Sequence, residues 1–226
     1  MGPLVVIGLD RDLTMRLKSL VDGPVLIYDV PPRCYAVGGE TFVESLTVSG
    51  RWLKPRGVVY YSYFDDAADV RRALALSSTP TFPNVRSTIV LDDRVLALIQ
   101  AEGHTKFTAP RGYAAPGLTL SFGNEEYVLK SGSHHCGEGK ARVQDNHSFD
   151  TACEIESFIH GRSERVLLVG GLAWQLRYES ADWRKNVNAT ISRVSLDPTL
   201  VDDALRVVRG LKLDVAGVDY IVTDTG

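Results

Sequence analysis

Cysteine is scarce in this chain. The three present, Cys34, Cys136 and Cys153, make no CxxC or other paired spacing. That argues against a disulfide framework and favours a reducing compartment. No apolar run approaches the roughly 20 residues that span a bilayer. No charged start leads into an apolar stretch with a cleavage site, so no secretory signal is read. Excess charge is missing too: the net charge of −3 leaves no electrostatic footprint for nucleic acid or an anionic membrane. Internal repeats and low-complexity tracts are absent. What remains is a chain of 226 residues of ordinary composition, long enough to bury a substantial core as one large or two small domains. The expectation is a soluble cytoplasmic protein without nucleic-acid or membrane partners; a homo-oligomer is compatible with this composition.

Two patterns divide the chain. In the first part, Leu4-Val5-Val6-Ile7, Val25-Leu26-Ile27-Tyr28 and Gly57-Val58-Val59-Tyr60-Tyr61 read as short β-branched strands. Between them, residues 12–21 carry Leu13, Leu17 and Leu20 on one helical face. Asp65 or Asp66 suits the cap of a helix with Val70, Ala73, Leu74 and Ser77 inward. Strand–helix alternation implies a small parallel α/β unit. Pro80 and Pro83 break it, and Asn84 caps a longer helix over 85–102. Residues 105–116, with Pro110, Gly112 and Pro116, read as a linker. Beyond it come short strands at 117–122, 125–130, 140–145, 153–159, 164–169 and 172–178. Their gaps are too short for parallel crossovers, so they read as antiparallel. Asp197-Pro198 starts a helix with Leu200, Ala204, Val207, Val208 and Leu211 inward, and 215–222 is a last strand. The resulting domains are 1–104 and 105–226.

The chemistry lies in the second part. Lys130 closes an apolar strand and leads into Ser131-Gly132-Ser133-His134-His135-Cys136-Gly137-Glu138-Gly139. A lysine at a strand end offers phosphate a compact charge, and Gly132, Gly137 and Gly139 let backbone N–H groups approach phosphate oxygens. Taken alone, the segment reads as a β-hairpin with an exposed lysine. It is not a Walker loop, because Gly139-Lys140 is followed by Ala141. His134, His135, Cys136, His147 and Cys153 are zinc-ligand types, but their spacing fits no standard zinc pattern. Glu156-Ser157-Phe158-Ile159 reads by itself as an edge strand. Arg177, Arg184 and Asn186 follow. Arginine offers phosphate or carboxylate a planar fork of donors, and an Arg-x-Asn in extended backbone places both side chains on one face. Asp219 ends Val215-Ala216-Gly217-Val218-Asp219, where a carboxylate suits Mg²⁺.

The order and spacing of these pieces, from Tyr127 to Gly226, resembles the ATP-grasp superfamily, in its glutathione-synthetase-like and ribosomal-protein glutamate ligase-like branch. The resemblance implies an α/β N-terminal domain followed by an ATP-grasp fold of two α+β lobes around a nucleotide cleft. It implies an ATP-dependent carboxylate–amine ligase that works through an acyl phosphate, with ATP and Mg²⁺ as cofactors and small-molecule or peptide carboxylates and amines as substrates. Lys130 and the loop of Ser131, Gly132, Gly137 and Gly139 would then hold phosphates. Glu156, Phe158 and Ile159 would meet adenine. Glu164, one place later than the family's acidic residue, would stand near ribose. Arg184, Asn186 and Arg177 would serve the reaction centre, and Asp219 would be the first metal ligand. The family's next strand, with a glutamate and an asparagine as further ligands, does not follow Thr223-Asp224-Thr225-Gly226. The chain as written is therefore expected to lack its final strand or strands and to fall short of full ligase activity. The alternative is a catalytically inactive nucleotide-binding protein, regulatory or scaffolding. A third reading is an α/β protein that uses His134, His135 and Cys136 on a metal.

Overall fold

The computed structural model describes residues 2–61, 68–132 and 139–224. Two compact units emerge, residues 1–91 with 212–214 and residues 92–211 with 215–226. Among the described residues, no helix is long and apolar enough to cross a membrane.

The first unit is built on a parallel sheet. Strands β1 (Leu4–Ile7), β2 (Val25–Tyr28), β6 (Gly57–Tyr60) and β7 (Thr81–Phe82) run in the order β2-β1-β6-β7. β1 lies inside the sheet, which is why Val5, Val6 and Ile7 are all fully buried and read as a continuous apolar run. Helix α2 (Ala68–Ala75) buries Val70 and Leu74, with Ser77 just beyond it. The expected caps Asp65 and Asp66 lie outside the described residues. Helix α1 (Arg11–Leu20) departs from expectation. Leu13 and Leu20 are exposed and the buried residue is Thr14, whose hydroxyl donates to Asp10 O (2.7 Å) and so enters the interior with a partner. Between β2 and β6 stands an unforeseen antiparallel sheet of β3 (Cys34–Val37), β4 (Glu40–Glu44) and β5 (Trp52–Leu53).

The helix expected over 85–102 is broken. α3 (Val85–Thr88) passes into a 3₁₀ turn, Ile89–Asp92, before α4 (Arg94–Glu102) starts afresh. The cause is Asp93, whose carboxylate accepts from Leu96 N (2.9 Å) as an N-cap. Aspartate competes for backbone donors in this way and favours helix starts over interiors.

The second unit holds two four-stranded antiparallel sheets and a two-stranded pair. β8 (Arg111–Ala114), β10 (Tyr127–Ser131), β11 (Lys140–Val143) and β13 (Cys153–Ser157) form the order β11-β10-β13-β8. β9 (Thr119–Ser121) pairs with β12 (Asn146–Ser148). β14 (Arg162–Val169), β15 (Leu172–Glu179), β16 (Thr190–Val194) and β17 (Val215–Val222) form the order β16-β15-β14-β17. Helix α5 (Pro198–Gly210) starts at the N-cap Asp197 and buries Leu200, Ala204, Val207 and Val208, as expected. The segment read as a linker contains a strand: β8 pairs along β13 from Ala114↔Cys153 to Arg111↔Glu156.

Candidate functional site

Strand alternation sets the face that carries Lys130. Leu129, Cys153, Ile155 and Ala114 turn into the core of the first antiparallel sheet, so their neighbours turn the other way. Register then lines up Val128 with Glu156, Lys130 with Glu154, and Arg111 with Glu156. Four ionisable groups meet as a result. Lys130 Nζ lies 2.5 Å from Glu156 Oε2 and 3.9 Å from Glu154 Oε2. Arg111 Nε lies 2.9 Å from Glu156 Oε1 and 3.7 Å from Glu154 Oε1, while its Nη1 reaches Glu102 on α4 at 2.5 Å. The two carboxylates differ sharply. Glu156 is partly buried, which opposes ionisation, but the charges and hydrogen bonds of Lys130 and Arg111 outweigh that and hold its carboxyl well below the usual range. Glu154 is 6% exposed and its Oε2 has no hydrogen-bond partner. Burial pushes it up to about 7, with Lys130 opposing and the charge of Glu156 adding.

The strand pair leads directly into the glycine loop. Ser131 N donates to Gly139 O (2.8 Å), and Gly132 and Gly139 both take positive φ (66° and 65°), which glycine adopts without strain. Gly137, together with His134, His135 and Cys136, lies outside the described residues. Among the described residues, no group of three or more His, Cys, Asp or Glu side chains is arranged to hold a metal.

Phe158 follows β13. Its N–H donates to Glu126 O (2.8 Å), the Arg142 guanidinium carbon sits 4.1 Å from its ring centroid, and the Trp183 ring is 6.2 Å away at 65°. Arg142 pairs with Glu126, and His160 Nε2 is 3.4 Å from the same carboxylate. Ile159 is exposed. Trp183 introduces a turn, not the extended backbone expected for Arg-x-Asn. Lys185 has φ 57° and Asn186 N donates to Arg184 O (2.6 Å). The cause is Asp182, which accepts from Arg184 N (2.8 Å), Nε (3.0 Å) and Nη2 (2.6 Å) and so curls the segment on itself.

The second sheet sets the residues assigned to ribose, reaction centre and metal on two faces. Register pairs Arg165 with Asp219 and Glu164 with both Arg177 and Tyr220. Glu164, Arg177 and Gln175 therefore share the α5 face, where Tyr220 is buried, while Asp219 and Arg165 point from the opposite face. Glu164 accepts from Arg177 Nε and Nη2 (3.1 and 2.9 Å) and from Gln175. With Arg162, Arg193 and Asp197 they line an open cavity of about 750 Å³. On the other face, Arg165 grips Asp219 with two bonds, Nε–Oδ1 2.6 Å and Nη2–Oδ2 2.9 Å. Gly217 makes this possible, since a Cβ there would stand 3.0 Å from Arg165 Cδ.

No protein-family model matches the sequence, and no curated protein does. Solved structures match over nearly the whole length. The ATP-grasp ligase PsnB, complexed with minimal precursor, Mg and ADP, superposes with TM-score 0.59 at 14% identity over 99% of this chain and 85% of that one. The macrocyclase MdnC from Microcystis aeruginosa, bound with precursor peptide MdnA, gives 0.60 at 13% over 99% and 88%. D-alanine–D-alanine ligase from Bacillus anthracis gives 0.59 at 15% over 99% and 84%. The chain has the ATP-grasp fold.

Within the ATP-grasp fold of this chain, Lys130 and Glu156 meet on one sheet face, and Phe158 lies beside Trp183, one residue before Arg184. Glu164 and Arg177 face away from Asp219. Several partners were not singled out from the sequence: Arg111, Glu154, Glu126 and Arg142. The alternation Cys153-Glu154-Ile155-Glu156 carried a usable signal, because it sets both glutamates on the face of Lys130. Arg111 carried none, since proline and glycine around it read as linker.

Proposed function

We propose that this protein is an ATP-dependent carboxylate–amine ligase that works through an acyl phosphate. The observation that carries this is Lys130. It is a strand-end cation set on a polar sheet face beside the glycine loop, in a chain with the ATP-grasp fold. Lys130 meets the phosphates, with Ser131, Gly132 and Gly139 beside them. Glu156, Phe158 and Ile159 take the adenine end. Arg184 and Asn186 lie at the acceptor, where arginine stabilises a transferring phosphoryl group electrostatically. Arg177 and Glu164, on the α5 face, brace the sheet end. One oxygen of the acceptor carboxylate attacks the γ-phosphorus and ADP departs. The amine nitrogen then attacks the acyl carbon, phosphate departs and the amine gives up a proton.

Asp219 suits one position on magnesium: it is an exposed carboxylate within β17, and Mg²⁺ takes one or two carboxylates alongside substrate phosphates. Bound there, the ion would neutralise charge on the β- and γ-phosphates. Peptide substrates are supported by the fold's likeness to PsnB and MdnC, both solved with precursors.

The test is acceptor-dependent ADP release with ¹⁸O-labelled carboxylate acceptors. One ¹⁸O atom per turnover should appear in phosphate; turnover without that transfer overturns the acyl-phosphate route. A second reading, nucleotide binding without turnover, is favoured by the two-bond grip of Arg165 on Asp219. It predicts bound Mg-ATP and no ADP release with any acceptor.

A further inference from the structure

Holding phosphate requires a cation; it does not require a buried acid beneath it. β13 lies inside its sheet, between β10 and β8, so Glu154 is flanked on both sides. From β10, Lys130 Nζ approaches to 3.9 Å. From β8, Arg111 Nε stands 3.7 Å from Oε1 and Tyr113 is the residue directly across. Glu156 follows on the same face of β13. Lys140 of β11 lies beyond Lys130, and Glu102 of α4 reaches the group through Arg111. Glu154 is the most enclosed of these carboxylates, and one of its oxygens has no donor.

Consider what an arriving phosphate does to this arrangement. It draws Lys130 away from the carboxylates and leaves Glu154 and Glu156 side by side with less positive charge. Two carboxylates sharing a poorly solvated site resist being ionised together. Glu156 keeps the Arg111 hydrogen bond at 2.9 Å; Glu154 has no equivalent. We propose that Glu154 couples nucleotide binding to proton uptake: as phosphate engages Lys130, the Glu154 carboxylate takes a proton from solvent, and it returns the proton when the nucleotide leaves. The coupling rests on the nucleotide reading of Lys130 given above. It gives Glu154 a positioning role, since a neutral Glu154 no longer competes with phosphate for the lysine. Burial already brings this carboxyl near neutrality, so the proton comes at little cost at pH 7.

Calorimetric titration of Mg-ATP into wild type and Glu154→Gln, in buffers of different ionisation enthalpy, counts the protons. The nucleotide's own protons contribute equally to both proteins and cancel. At pH 7, wild type should take up on the order of half a proton more than the variant. Its affinity should fall by up to about tenfold more than the variant's between pH 7 and 9. Equal uptake and parallel pH dependence overturn the coupling and leave nucleotide binding intact. Absence of binding by either protein at any pH overturns both. Should Glu154→Gln fail to fold, ¹³C-carboxyl spectra of wild type decide. A glutamate resonance with its midpoint near pH 7 that moves upward on adding Mg-ATP supports the coupling; no such resonance refutes it.

Discussion

Glu154 and Glu156 are two residues apart on one strand, share one face, and have opposite fates. The difference is access to cations: Glu156 is 2.5 Å from Lys130 and 2.9 Å from Arg111, while Glu154 has each at 3.7 Å or more. For stability the sign is clear. A carboxyl raised to about 7 in the folded protein binds more protons folded than unfolded between the ordinary carboxylate range and pH 7, so its contribution falls as pH rises through that window. Glu154→Gln should therefore melt higher than wild type at pH 8, by roughly 2–4 °C per kcal/mol relieved, and the two should converge near pH 5. Melting curves across pH check this, and identical curves would mean Glu154 titrates normally. Lys130 was legible in the sequence because a cation beside glycines has a recognisable chemistry. Alternation also carried the face of Glu154, but not its burial, which comes from two flanking strands that pair only in the folded chain.

At the scale of elements, apolar runs and helix caps translated directly into structure: β1, β2, β6 and α5 lie where the residues pointed. The antiparallel strands β10, β11, β13, β14 and β15 also lie close to where they were read, whereas some elements that lean on a neighbour were missed. β3, β4 and β5 were not read, and β8 exists because β13 offers it a partner. The 85–102 helix breaks at a cap that apolar periodicity hides. α5 also carries a polar anchor inside its apolar face. Asp203 is fully buried and accepts from Thr105 Oγ1 (2.8 Å), Lys106 N (2.6 Å) and Tyr220 Oη (2.9 Å). Burial and Asp203 together push the Tyr220 hydroxyl well up. Asp203→Ala removes the acceptor of three donors, with Tyr220 Oη among them in the interior, and should cost about 1–3 kcal/mol, with Asp203→Asn losing less because one acceptor oxygen remains. Denaturant unfolding reads both; a loss below about 1 kcal/mol for the alanine variant would show that the donors find other partners. On β17, Gly217→Ala crowds the Arg165 stem and should loosen its grip on Asp219. If magnesium binds there, Mg²⁺-dependent tightening of ATP should increase in that variant, and an unchanged magnesium dependence would count against Asp219 as the ligand.

At the scale of the whole molecule, the chain returns to its first unit after α5: Asp214 accepts from Asn84 N at 2.7 Å. The second unit is thus interrupted between α5 and β17, and the strand bearing Asp219 begins at Val215, directly after that return. The proposed function turns on one claim, that polyphosphate binds at Lys130. Titration of Mg-ATP into wild type and Lys130→Ala, followed by calorimetry at pH 7, measures it directly. Wild type should bind, and the variant should bind at least about tenfold more weakly, as expected for losing a charged hydrogen bond. Equal affinity in the two proteins, or no binding by wild type, would contradict it.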